Sequence, residues 1–251
     1  MINYLFKNLK GTDWAMLSDF VSPVFFEVVP AFGMAKVFGT IVQDYANSKE
    51  FQSVKSEVRT ATMSKINHQS MQPLQLLDSL SAVLSVRDLS EKDRKDFGAM
   101  VLKIYFAQIF ATHKTILDLR SSAFNGTKEW APKPVFYQWS NEFRSGLQDL
   151  YRGFYKGDDD VFQKGLVALN LKRAESVIGG HFGTGEQDAV VFSLQHLKDS
   201  LHRVFISCKA SKSRLHPDFF ALGVYLLCLY ENLEALGCPL DVRKSFNEVA
   251  G

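Results

Sequence analysis

The sequence predicts an all-α protein, a multi-helix globular bundle of about eight to ten helices, a count that follows from ordinary helix lengths. Three observations predict it. Apolar residues recur three or four positions apart over most of the chain, the spacing of one helix face. Two segments are apolar nearly all round, as helices at the centre of a bundle are. Strand signals are scarce, and Ala189 to Leu194, β-like by composition, lies inside a stronger helical pattern.

The elements follow in order. Phe20 to Ala46 is apolar but interrupted by Pro23, Glu27, Pro30 and Lys36, which predicts two helices parted near Pro30. Ser48 to Ile66 places Phe51, Val54 and Val58 on one face of a thinner amphipathic helix. Pro73 to Val86 reads as another helix. Ser90, with Asp93 three residues on, marks the start of a helix whose Phe97–Phe110 part is almost wholly apolar. From Pro134, the residues Phe136, Trp139, Phe143, Leu147, Leu150 and Phe154 form one stripe, with Pro134 at the first helical position. Asp158 can cap a short helix through Leu171. Glu186 to Ser207 carries a stripe of Val190, Leu194, Leu197, Leu201 and Phe205, behind a capping box of Thr184 and Gln187. Pro217 to Leu236 is the second apolar helix. Gly237 ends it and Pro239 prevents its continuation.

Ser121 to Pro134 and Lys172 to Gly185 are expected to be loops, rich in Asn-Gly, Pro and Gly. The organisation reads as one helical domain over 1–251. The alternative is a division into an N-terminal half, 1–120, and a C-terminal half, 134–251.

Composition narrows the function. The chain has 251 residues and a formal net charge of +2, with no run of Lys and Arg. That predicts no nucleic-acid partner, which would need a clustered basic footprint. The three cysteines, Cys208, Cys228 and Cys238, form no CxxC pair and suggest a reducing compartment. Met1 to Lys10 lacks the pattern of a secretory leader. Phe219 to Tyr230 is uncharged but shorter than the ~20 residues of a membrane span. The expectation is a cytoplasmic protein. A peripheral membrane position is open through Lys49, Lys55, Arg59 and Lys65 on the Ser48–Ile66 helix.

Several patterns resemble chemical motifs, and each has a plainer reading. Gly179-Gly180-His181-Phe182-Gly183-Thr184-Gly185 precedes a helix start, where anions can bind. It matches no phosphate-binding fingerprint, and Glu186 and Asp188 would repel a phosphate. A connector before a capped helix explains it. His196, Asp199 and His202 recur at spacings of three on one helix. The two histidines, six apart, point roughly 120° from each other, so a solvated face is the simpler reading. Asp158-Asp159-Asp160 suits a helix start. Asp96-Phe97-Gly98 spells the kinase magnesium triplet but sits in a predicted helix, without the catalytic loop that accompanies it.

Four stretches carry a family resemblance. They are Leu89-Ser90-Glu91-Lys92-Asp93-Arg94, Gly157 to Leu169, Leu215-His216-Pro217-Asp218-Phe219-Phe220-Ala221-Leu222-Gly223, and Leu236-Gly237-Cys238-Pro239-Leu240-Asp241. Residues 89–245 resemble the helical C-terminal tail of AarF/ABC1/UbiB-type atypical kinases. The kinase's lysine-bearing motif, catalytic loop and metal triplet in context have no counterpart here, so no functional residue carries over. The resemblance implies a helical accessory module tied to membrane lipid or quinone metabolism, without kinase activity.

The first functional expectation is a non-catalytic helical protein that engages a protein partner or a membrane surface. The alternative is a carrier or sensor with a Phe-rich pocket for an apolar small molecule: a lipid, a quinone or haem. The sequence singles out no cofactor. His181, Phe182, His196, Asp199 and His202 are the candidate ligand-binding residues. An enzyme with scattered catalytic residues is the third class.

Overall fold

In the computed structural model, which describes residues 23–45, 47–66, 74–80, 88–127, 129–182 and 189–250, helices carry the fold. In chain order the first are α1 (Phe25–Val28), α2 (Ala31–Tyr45), α3 (Ser48–Ile66) and, after the short strand β1 (Gln75–Leu76), α4 (Glu91–Ala111). A region of short strands follows: β2 (Lys114–Ile116), β3 (Phe124–Asn125), β4 (Glu129–Trp130) and β5 (Phe136–Gln138). The remaining helices are α5 (Asn141–Lys156), α6 (Asp159–Ala168), α7 (Glu175–Phe182), α8 (Leu194–Ala210), α9 (Phe219–Leu236) and α10 (Val242–Ala250). The all-α class expected from the sequence is therefore the observed one, with ten helices among the described residues.

Where the helix ends are local events, the expected bounds hold. Ser90 accepts a hydrogen bond from the Asp93 N–H at 3.2 Å and starts α4. Asp158 accepts from the Val161 N–H at 3.1 Å and starts α6. These side chains satisfy amide donors that have no partner within the first helical turn. Gly237, at φ 57°, ends α9 in the left-handed conformation.

Elsewhere the expected bounds shift. The helix expected from Pro134 begins at Asn141, capped by the Ser140 hydroxyl. Phe136–Gln138 pairs antiparallel with β2 instead, with Ile116 opposite Phe136 and Lys114 opposite Gln138. The helix expected from Glu186 begins at Leu194, capped by Ser193. Before it, Val190 and Leu240 exchange two backbone hydrogen bonds of 2.9 Å, so 189–193, expected to be helical, is not helix and carries an isolated β-bridge, in line with its composition. The Thr184–Gln187 capping box lies outside the described residues. Of the expected helix Pro73–Val86, the described part 74–80 is not helical, because β1 runs parallel to β4. The expected loop Lys172–Gly185 contains a 3₁₀ turn at Lys172–Ala174 and then α7 through Phe182. In Ser121–Pro134 a 3₁₀ turn, β3 and β4 replace much of the expected loop.

The buried apolar side chains form one contiguous cluster that runs from Phe25 to Val249. It joins the elements on both sides of 121–134, as do β2 with β5 and the Phe106–Phe246 ring pair at 5.3 Å between α4 and α10. Helix α9 is long and apolar enough to cross a membrane by composition, but here most of its side chains are core. Helix α4 is its companion. Tyr105 stacks on Tyr225 at 4.7 Å, and the buried Gln108 donates to the Tyr225 hydroxyl at 2.9 Å and to the Ile116 carbonyl at 3.2 Å. The Asp96-Phe97-Gly98 triplet lies within α4. A side chain on Gly98 would collide with Leu240 at 2.6 Å, so the glycine serves packing.

Helices α5 and α6 cross more closely than any side chain on the crossing glycines would allow. A Cβ on Gly153 would sit 2.2 Å from the Phe162 backbone nitrogen, and one on Gly165 2.4 Å from that of Leu150. Backbone cannot yield as a flexible side chain can, so Gly153→Ala and Gly165→Ala should each lower the unfolding free energy by about 2 kcal/mol. Gly39→Ala in α2, where an added Cβ meets nothing within 4 Å, should be neutral or stabilise by up to ~1 kcal/mol. Urea denaturation of the three variants checks this contrast.

Candidate functional site

A cavity of about 170 Å³ lies among α4, α5, α8 and α9, bordered by α7, the Val190–Phe192 segment and the first residues of α10. Its walls follow from the stripes already described. Helix α5 presents Leu147, Leu150 and Phe154, and α8 presents Leu197, Leu201 and Val204. Helix α9 adds Gly223, where an added Cβ would have nothing within 4 Å. A missing side chain on a wall helix leaves room that its neighbours do not fill.

The polar groups of the lining are few. Among the described residues they are the tyrosines 105, 151, 155 and 230, together with His181, Ser200 and Arg243, and none of these is a carboxylate. Most are engaged with one another or with backbone. The Tyr105 and Tyr151 hydroxyls share a hydrogen bond of 2.5 Å. Tyr230 and His181 Nε2 share one of 3.0 Å, and Arg243 donates to the Tyr155 carbonyl at 2.8 Å. Burial pushes the Tyr151 hydroxyl up to about 12 and those of Tyr105, Tyr155 and Tyr230 upward as well. All four are neutral hydrogen-bonding groups near neutral pH. Among the described lining residues Arg243 is therefore the charged one.

His181 belongs to this site, at the C-terminal end of α7. Its ring stacks on His196 at 5.3 Å with an interplanar angle of 6°, and faces Tyr230 at 5.8 Å. Burial pushes it down to about 4, with the neighbouring His196 and Arg203 adding to the effect. Of the other expected residues, His196 touches His181 from the exposed side of α8. Asp199 and His202 are exposed and do not line the cavity. Asp199 accepts from the Gln195 side chain at 2.8 Å. The Phe182 side chain, and Gly183 to Asp188 after it, lie outside the described residues. Among the described residues no three His, Cys, Asp or Glu side chains gather as a metal would require.

Sequence reasoning missed Ser200 and Gly223. Ser200 is buried, 3% exposed, and its hydroxyl has no hydrogen-bond partner among the described residues. It is therefore not paired with His181 as a nucleophile would be with its base. Both residues break an apolar pattern, which was the available signal. Ser200 stands on the stripe of Leu197, Leu201 and Val204, and Gly223 interrupts the apolar helix α9.

The three described cysteines are free and buried, and burial pushes each thiol upward, away from a reactive thiolate. On α3, Lys55 is buried and donates to the Leu77 carbonyl at 2.7 Å, while Arg59 donates to the Leu76 carbonyl at 2.9 Å. Two of the four cations that suggested a membrane-facing helix thus hold the β1 segment.

His181 gives a pH signature with a definite sign. Between about 4 and 6.5 the unfolded chain holds a proton on this residue that the folded chain does not. Folding stability must therefore fall as pH drops through that window. Between pH 7 and pH 4.5 the wild type should lose about 2 kcal/mol more unfolding free energy than His181→Gln. Parallel urea titrations at the two pH values measure the difference.

No protein-family model matches the chain, and no curated protein matches it. The cavity's own chemistry carries the functional reading.

Proposed function

We propose that the protein is a carrier or sensor that holds a small apolar molecule in the cavity among α4, α5, α8 and α9. The observation that carries this reading is the cavity itself, about 170 Å³ with an aliphatic and aromatic lining and no carboxylate among the described residues. An apolar cavity of roughly 150 Å³ stays dry and admits benzene. A void of this kind forfeits dispersion contacts along its whole lining, so an occupant of matching shape gains them back. A quinone ring or a short acyl segment matches this size, whereas a haem macrocycle needs the walls to move. The likeness of residues 89–245 to the AarF/ABC1/UbiB-type tail points the same way, because it implies lipid or quinone chemistry.

The docking-surface reading has less behind it. Among the described residues, the exposed large apolar ones, Phe32, Met63, Val167, Val191 and Ile206, sit on five different segments. Single exposed apolar residues are ordinary on a protein surface.

Calorimetric titration with toluene tests the proposal. The wild type should bind it saturably. Gly223→Leu should fill the cavity and weaken binding at least tenfold, while removal of a mid-helix glycine stabilises the free protein by up to ~1 kcal/mol. Absence of saturable binding by the wild type, or equal binding by a folded Gly223→Leu variant, would overturn the reading.

A further inference from the structure

We infer that the molecule held in the cavity is a ring-sized apolar compound bearing one oxygen function, which pairs with the Ser200 hydroxyl. The inference rests on the proposed apolar-ligand function and specifies the ligand's chemistry.

Two observations carry it. Ser200 lines the cavity and is 3% exposed, yet its hydroxyl has no partner among the described residues. A buried hydroxyl without a hydrogen bond is costly, and native structures seldom leave one so. The helix itself offers a partner, because a helical Ser or Thr that is turned away from solvent can return its hydroxyl to the carbonyl four residues back. Within helices of this protein Thr40 donates to the Lys36 carbonyl at 3.1 Å, Thr60 to that of Ser56 at 3.0 Å, and Thr62 to that of Val58 at 2.8 Å. Ser200 forgoes that bond while it faces an apolar cavity.

The rest of the lining sets the remaining terms. Tyr105 is committed to Tyr151, and Tyr230 to His181. Ser200 carries a lining hydroxyl that has no hydrogen bond among the described residues and can meet an oxygen on the ligand. It can donate to a carbonyl or accept from a phenol, so both functions suit it. Among the described residues no carboxylate lines the cavity to receive a cationic ligand. The volume admits one ring with its substituents.

The test compares p-cresol with p-xylene, which match in shape and differ by a hydroxyl in place of a methyl group. Calorimetry gives both affinities for the wild type and for Ser200→Ala. The account expects Ser200→Ala to weaken p-cresol by about tenfold relative to p-xylene, the worth of one buried hydrogen bond. It also expects the free variant to melt at a higher temperature than the wild type, since an unpaired buried hydroxyl is gone. An unchanged p-cresol to p-xylene ratio in a variant that still binds p-xylene would overturn the Ser200 pairing and leave the apolar cavity standing. Failure of the wild type to bind either compound would overturn the cavity reading, and this inference with it.

Discussion

Helices α4 and α9 are apolar on nearly every side, and each therefore needs other elements around its whole circumference. Their neighbours supply that cover: α3, α5 and α10 around α4, and α2, α8 and the 117–121 segment along α9. The polar groups carried inside had to be satisfied from within. Gln108 does this for three elements at once. It donates to Tyr225 on α9 and to the Ile116 carbonyl, and its own carbonyl accepts the Ile116 N–H at 2.7 Å. Asp118 and Arg120 form a buried ion pair at 2.7 Å beside it, and Asp118 also accepts from the Lys133 N–H. Asn232 on α9 donates to the Leu119 carbonyl at 2.8 Å. A buried charge without such partners would cost several kcal/mol, so these contacts fix the path of 112–121 across the core.

The cavity is a consequence of how the same core is filled. Much of it is aromatic, with Phe106, Tyr151, Tyr155 and Phe246 in edge-to-face contact at 5.3 to 5.9 Å. Large flat rings pack well against each other but fill irregular space poorly. Where α9 turns Gly223 toward α5 and α8, the rings give way to leucines and the lining no longer closes. This apolar cavity thus adjoins a residue with no side chain. Beside it lies a hydroxyl that declines its usual helical bond. Neither feature serves packing or helix stability, since alanine at either position would improve the helix.

How much of this was legible depends on the range of the interaction concerned. The starts at Ser90 and Asp158 and the stop at Gly237 are made by residues within one turn, and the sequence displays them. The start at Ser140 was hidden because Phe136 and Trp139 continue the apolar stripe of α5 while they belong to a strand and its exit. That strand exists through pairing with Lys114–Ile116, 20 to 24 residues earlier, which periodicity within a window cannot see. The Val190–Leu240 bridge is more remote still. At the site, the aromatic and aliphatic lining was foreseeable as a class, and His181 was foreseen by type. Asp199 and His202 drew notice because charged residues at helical spacing resemble a site, but the apolar stripe of α8 turns them outward. The departures on the buried stripe, Ser200 and Gly223, were the better signal.

The central claim is that a ring-sized molecule occupies this one cavity. Methyl NMR of the protein labelled at leucine and valine, titrated with indole, tests it most directly. The account predicts saturable shifts confined to the methyls of Leu147, Leu150, Leu197, Leu201, Val204 and Leu226, with the buried Val54 and Val58 methyls of α3 unmoved. Saturable shifts centred elsewhere, or none up to the solubility of indole, would contradict it.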